Sequence, residues 1–254
     1  MRPMRVLRRR RSIPIARRNM PQPTRTSIAI AWSIHALTAC GMILGMLALQ
    51  AMLARDWRLA ICYLLAALAL DGIDGPLARR FEVGKVLPRY SGGILDLLVD
   101  YFTFVLLPAL FVWWSDVVPE AWRWPAALAM MLSALYHYGN LEIKTGDCYF
   151  TGFPAFWNIV VFYLYLLRPP PEWALALIAV LCLLTFAPVK CVHPFRVARL
   201  RGLNIAAAVF SMAAAAGALF SPFARELAWL SLAPVVYFAA LSLHRTMRPA
   251  AYAG

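Results

Sequence analysis

Apolar residues fill this chain in eight long runs separated by short polar breaks, near 27–53, 58–79, 91–114, 124–140, 153–167, 173–189, 204–220 and 227–243. Read as helices, such runs predict membrane spans, since crossing the hydrocarbon core takes about 20 apolar residues. Several runs fall short of that length, so their ends are soft by several residues. The expected fold class is all-α: a polytopic integral membrane protein with about eight transmembrane helices. Eight spans would put both ends of the chain on one side of the membrane. No internal repeat interrupts the pattern; the only biased stretches are "AAAVFSMAAAAGALF" in the seventh run and the turn "RPPPE".

Composition strengthens this reading. The chain is 62% hydrophobic and 15% charged, against about 45–50% apolar residues in ordinary soluble domains. Five cysteines form no C-x-x-C pair, and four histidines form no H-E-x-x-H, so a zinc site has no support.

The net charge of +13 suggests nucleic acid until its distribution is followed. Nine of the 25 basic residues precede the first apolar run, in "MRPMRVLRRRRSIPIARRNMPQPTR". A basic stretch beside a membrane segment fixes topology and touches anionic lipid, so no nucleic-acid partner is expected. With the N-terminus inside, 20 of the 25 Lys and Arg residues fall on the cytoplasmic side and 5 on the other, the bias of the positive-inside rule. The apolar run after the basic stretch is too long for a cleaved signal peptide, and Met20 is a second candidate start.

Four carboxylates disturb the apolar pattern. "LALDGIDGPLARRFEVGKVLPRYSGGILDLLVDYF" puts Asp71, Asp74, Asp96 and Asp100 within or at the ends of the second and third runs. An Asp at mid-membrane costs about 2.5–3.5 kcal/mol on an insertion scale, so four demand compensation. At about 100° per residue, Asp71, Asp74, Gly75, Ala78 and Arg79 share an arc of about 140° on one helix. Gly92, Asp96 and Asp100 form a stripe about 80° wide on the next. If the helices end near Arg79 and start near Ser91, Asp74 and Asp96 lie about 8 Å deep, and Asp71 and Asp100 about 12–14 Å. All four can therefore converge below the cytoplasmic face, where a divalent cation would relieve their repulsion. All-oxygen ligands favour Mg²⁺ or Mn²⁺. Gly75, Ala78, Gly92 and Gly93 leave room beside them, and Arg79 stands at the rim. This combination suits a phosphate-bearing ligand.

The pattern "DGIDGPLAR…GGILDLLVD" resembles the signature of the CDP-alcohol phosphotransferases, D-x-x-D-G-x-x-A-R followed by G-x-x-x-D-x-x-x-D, at eight fixed positions. Twelve residues separate Arg79 from Gly92, where the common form of the family has about eight; the extra residues fall in the loop, so the facing stripes can still meet. Further segments, "AWSIHALTACG", "LDLLVDYFTFVLLPAL", "LYHYGNLEIKT", "GFPAFWN" and "FAPVKCVHPFRV", are similar to the bacterial branch of that family whose acceptor is choline. The resemblance implies a helical-bundle enzyme of the bacterial inner membrane. Its reaction would move a phosphatidyl group from CDP-diacylglycerol to choline, release CMP, and use Mn²⁺ or Mg²⁺, two ions in the family.

The resemblance also implies roles. Asp71, Asp74 and Asp96 would bind metal, while Asp100 would take the proton of the acceptor hydroxyl and touch a second ion. Gly75, Ala78 and Arg79 would line the nucleotide site, with Gly92 packed against it. His35 and Thr38, on the first span, lie near enough to the cytoplasm to reach the nucleotide or to serve packing alone. No Ser, Cys or His is poised as a covalent nucleophile, which favours direct attack by the acceptor.

A quaternary ammonium donates no N–H, so aromatic faces are its usual host. Tyr136, Tyr149 and Trp157 are the candidates, with Tyr138 and Phe153 nearby, although an interfacial aromatic belt gives the same pattern. Lys190, Arg196 and Arg199 could steer an anionic headgroup, or merely follow the topology rule. The same chemistry with serine, inositol or glycerol phosphate as acceptor is the alternative reading, and a cation transporter is a remoter one. Family relatives form homodimers, and Gly41-x-x-x-Gly45 is the candidate contact. The chain thus divides into a basic segment 1–26, a transmembrane catalytic domain 27–245 and a cytoplasmic tail 246–254.

Overall fold

A computed structural model describes residues 23–140, 149–192, 197 and 200–247. Most of the basic N-terminal segment, the end of the tail, and Arg196 and Arg199 lie outside the described residues. The described chain is almost wholly helical. Its elements run α1 (Arg25–Leu53), α2 (Trp57–Arg80), α3 (Val83–Val86), α4 (Gly92–Asp100), a π-turn (Tyr101–Leu106), α5 (Leu107–Trp114), α6 (Arg123–Gly139), β1 (Phe150–Thr151), α7 (Trp157–Leu167), α8 (Pro171–Leu184), β2 (Lys190–Cys191), α9 (Arg201–Phe220) and α10 (Ala224–Met247).

Local chemistry marks where the first helices begin. The Thr24 hydroxyl accepts from the Ser27 N–H at 3.1 Å, Asp56 from Leu59 N–H at 3.0 Å, and Ser91 from Ile94 N–H at 3.2 Å. Each side chain thereby satisfies one of the amides that a helix start leaves without a partner. α4, the π-turn and α5 form one continuous rod, Gly92–Trp114. The widened turn lies immediately ahead of Pro108, whose ring would press on the carbonyl four residues back, that of Phe104. Phe104 sits inside the π-turn, where wider winding relieves that contact.

Each of the eight expected spans coincides with one helical rod, but they are not equal. Five are long and apolar enough to cross a membrane: Arg25–Leu53, Trp57–Arg80, Gly92–Trp114, Arg201–Phe220 and Ala224–Met247. The rods expected at 124–140, 153–167 and 173–189 become helices of 17, 11 and 14 residues. At 1.5 Å per residue α7 reaches only about 17 Å, well under the ~30 Å of a hydrocarbon core. Pro154 and the left-handed Ala155 delay the start of α7, and α8 stops at Leu184, before "TFAPVK". Eight full spans are therefore reduced to five long helices and three shorter ones.

The core sits between α1, α2, the π-turn with α5, α6, α7 and α8, around Ala48, Ile61, Leu64, Val105, Phe111, Met130 and Phe162. Bulky apolar side chains such as Leu132, Leu183, Phe220 and Trp229 are exposed on the outside, the arrangement expected of a protein solvated by lipid. β1 and β2 pair antiparallel, Phe150 opposite Cys191 and Thr151 opposite Lys190. This clip is tied to the end of α10, because Lys190 N–H donates to Thr246 Oγ1 at 2.8 Å and Val192 N–H to Ser242 Oγ at 2.9 Å. Burial pushes the Cys191 thiol up to about 11, so it stays protonated at neutral pH.

The glycine pair read as a dimer contact has an internal partner instead. A Cβ on Gly41 would stand 2.6 Å from Val99 Cγ1, and one on Gly45 would run into the Phe102 ring. These glycines let α1 lie tightly against α4 and the π-turn, so the motif serves packing within one chain.

Candidate active site

The loop that contains α3 joins α2 to α4, and α1 packs against both helices. Because α4 is regular through Asp100 and the π-turn starts only at Tyr101, the i, i+4, i+8 stripe of Gly92, Asp96 and Asp100 keeps to one face. On α2, Pro76 is accommodated without ending the helix, and Asp71 and Asp74 turn toward that stripe.

Asp71, Asp96 and Asp100 each offer a carboxylate oxygen within 4.8 Å of the others. All three are half-buried. They line a space of about 10 Å³ together with Asp74, Thr38, Gly41, Leu70, Val99 and Thr103, which is about the room of a single water-sized occupant. The donor set is oxygen alone, three formal negative charges are gathered, and the enclosure is small. These residues therefore fit a hard divalent cation. Asp74 borders the same space but stands outside the group of three. It is 4% exposed and lies beside Thr38 and Gly75. The Thr38 hydroxyl donates back to the Ile34 carbonyl at 3.3 Å, which fixes its rotamer.

Next to this space a larger cavity of about 520 Å³ opens beside the α2–α4 loop. Gly75, Ala78, Arg79 and Gly92, expected at a nucleotide site, all line it, and Thr38, Asp74 and Asp96 are shared with the smaller space. One wall is aromatic: the Tyr90 ring lies 4.7 Å from His35 and 5.0 Å from Trp32. His35 Nε2 is buried with no hydrogen-bond partner among the described residues. A buried polar atom without a partner is costly in a finished core, so its place in the cavity wall suits a ligand.

Sequence reasoning placed the extra residues in the loop and assigned that loop no contacts. The structure brings Glu82, Val83, Gly84, Lys85 and Tyr90 into the wall of the large cavity. The loop folds as the short helix α3, pinned by Val83 against Ala31 and Ile34, with an exposed Lys85–Glu82 ion pair along it. The available signal was the Val-Gly-Lys-Val-Leu segment, whose apolar residues are hard to place in a solvated loop.

The aromatic candidates for a cation are not brought to either cavity. Tyr136 is 47% exposed and stacks on Phe186 at 4.7 Å, on the outer face of α6. Tyr149 is 1% exposed, packed with Val192 and Val197 under the Arg245 guanidinium. Trp157 is 0% exposed and packs on Phe153 in the main core. Lys190 is also engaged, its ammonium donating to Thr151 Oγ1 at 2.6 Å.

No protein-family model matches the chain. Individual relatives do. Over 178 residues it is 43% identical to the phosphatidylcholine synthase of Pseudomonas aeruginosa, covering 70% of this chain and 75% of that one. It is 41% identical over 175 residues to the phosphatidylcholine synthase of Rhizobium meliloti, covering 69% and 73%. The phosphatidylcholine synthase of Borreliella burgdorferi is 27% identical over 218 residues, 85% of this chain and 93% of that one.

Proposed function

The chain belongs to the phosphatidylcholine synthase family, and from that premise we propose that the carboxylates between α2 and α4 carry its reaction. It is an integral membrane transferase that moves the phosphatidyl group of CDP-diacylglycerol to choline and releases CMP. The observation that carries the assignment of the site is the meeting of three carboxylates within 4.8 Å beside a cavity of about 520 Å³.

Asp71, Asp96 and Asp100 would hold the divalent cation, Mn²⁺ or Mg²⁺, with Asp74 as the bordering carboxylate. When bound, the cation supplies charge neutralisation at the pyrophosphate oxygens. The residues of the chain do the rest. Gly75, Ala78, Gly92 and Thr38 leave space for the nucleotide half of CDP-diacylglycerol, and Arg79 sets a guanidinium at its phosphates. Asp100 takes the proton of the choline hydroxyl as that oxygen attacks the phosphatidyl phosphorus. The bond from that phosphorus to the bridging oxygen breaks, and CMP leaves with its electron pair. A single displacement needs no covalent intermediate on the protein.

The excess of Lys and Arg on the N-terminal side supports an orientation with both termini and the cavity facing the cytoplasm of a bacterial inner membrane.

The test uses purified protein in detergent with CDP-diacylglycerol, Mn²⁺ and labelled choline, following labelled lipid and CMP together, with serine, inositol and glycerol phosphate in parallel. Metal-dependent formation of both products with choline alone is the expected outcome. CMP release driven by another acceptor would overturn the choline assignment. No release with any acceptor, from folded protein, would overturn the carboxylate site.

A further inference from the structure

Two tyrosines lie near the carboxylate cluster but outside the residues that line the two cavities. Tyr101 directly follows Asp100 and opens the π-turn. Its hydroxyl donates to the Met131 carbonyl at 3.4 Å, which holds its ring against α6. Tyr138 comes from the last turn of α6, and its phenol lies in the field of Asp100, Asp71 and Asp96. The two rings stand 5.9 Å apart, centroid to centroid, with their planes at 76°. Both residues are half-buried, so part of their surface is left over. Tyr149 and Trp157, at 1% and 0% exposure, have none to offer.

The size of choline decides which rings can host it. The acceptor hydroxyl must meet the Asp100 carboxylate, and only a two-carbon arm joins that hydroxyl to the trimethylammonium group. The cation must therefore be held by groups adjoining Asp100. Tyr101 is its sequence neighbour, and the Tyr138 ring stands against that of Tyr101. Two rings near a right angle form a corner, and a cation lodged there can lie over the face of one ring and the edge region of the other. Ring faces attract quaternary ammonium groups, which have no N–H to donate. The carboxylates add a negative field from the third side.

We propose that the corner between Tyr101 and Tyr138 holds the trimethylammonium group of choline and selects the acceptor. This rests on the phosphatidylcholine synthase reading of the site. Both rings pack against the core, and Tyr138 is the cleaner residue to change because Tyr101 directly follows Asp100 and its hydroxyl is bonded to the Met131 carbonyl.

The experiment measures kcat/KM for choline and for its uncharged isostere 3,3-dimethylbutan-1-ol, together with the KM for CDP-diacylglycerol. In Tyr138→Leu the choline KM is expected to rise at least tenfold, the preference for choline over the isostere to collapse, and the CDP-diacylglycerol KM to stay put. Tyr138→Phe retains the preference. Replacing residue 138 with mono-, di- and trifluorophenylalanine keeps the ring shape while draining its face of negative charge. Choline KM should then climb stepwise with fluorination, and this series remains informative if Tyr138→Leu does not fold. A flat series overturns the proposal, as does loss of preference in Tyr138→Phe equal to that in Tyr138→Leu, which would give the role to the hydroxyl. Both results presuppose an active wild type. A wild type without choline-dependent CMP release would sink the broader reading and this inference together.

Discussion

Gly92 lies flat against the imidazole of His35. A Cβ at residue 92 would stand 2.6 Å from His35 Cε1 and 3.2 Å from Nδ1. This pairing joins the first turn of α4 to α1, and both residues line the large cavity. Gly92→Ala should push the ring into the cavity and raise the KM for CDP-diacylglycerol about tenfold, about 1.4 kcal/mol of lost binding. Helix propensity alone would favour alanine by about 1 kcal/mol, so a loss of affinity isolates the steric term. Gly202→Ala, where a Cβ meets nothing within 4 Å, is the matched control. Equal affinities in both variants would mean that His35 moves aside without consequence.

Two of the three clustered carboxylates, Asp96 and Asp100, should fail in different ways. Asp96→Asn removes one charge from a group within 4.8 Å and should abolish CMP release while leaving the protein in the membrane. Asp100→Asn should lower kcat by about 10²–10⁴, the usual contribution of a positioned base, with less effect on nucleotide affinity. Chelation with EDTA should stop wild-type turnover, and added Mn²⁺ or Mg²⁺ should restore it. Turnover that survives chelation and Asp96→Asn would remove the metal assignment.

The Gly41 prediction concerns stability. Gly41→Ala sets a methyl group 2.6 Å from Val99 Cγ1, and overpacking of this kind costs about 1–3 kcal/mol. Thermal unfolding in detergent should move to lower temperature while the oligomeric state stays unchanged. Val99→Ala in the same chain should recover part of the loss, since it removes the atom that is struck. A change in oligomeric state without loss of stability would return the glycine pair to a dimer interface.

The hairpin of α2 and α4 was legible because membrane burial makes each acid conspicuous, and because 3.6-residue winding turns spacing into a face. Its Asp96 and Asp100 stripe survived because the π-turn begins one residue later. That turn was not legible: "DYFTFVLLPAL" is an unbroken apolar run, and only Pro108 marks it. The short helices α7 and α8 were hidden for the same reason, since hydrophobicity continues past the points where the backbone stops winding. Tyr136 and Tyr138 show the remaining gap. Two residues apart on a helix they point about 200° apart, and sequence reasoning favoured the outward one. The face could have been read from α6 itself, where Ala126, Ala127, Ser133, Ala134 and His137 are buried while Leu132, Leu135 and Tyr136 are exposed. In lipid the bulky apolar residues mark the outside and the small or polar ones the packed side.

The lengthened loop supplies the last prediction. Tyr90 is 40% exposed, yet its ring contacts both His35 at 4.7 Å and Trp32 at 5.0 Å. It thereby forms part of the wall of the cavity that Gly75 also lines. An exposed aromatic ring on a loop gains little by packing unless something lies against its other face, and here that face borders the large cavity. Tyr90→Ala should raise the KM for CDP-diacylglycerol about fivefold to tenfold. It should leave the KM for choline unchanged, because the proposed corner of Tyr101 and Tyr138 is not among the residues that line this cavity. Tyr90→Phe should behave as wild type, since ring contact rather than the hydroxyl does the work. If Tyr90→Ala instead lowered kcat with both KM values unchanged, the loop would act on the carboxylates through α3 and the start of α4, not on the nucleotide half of the substrate.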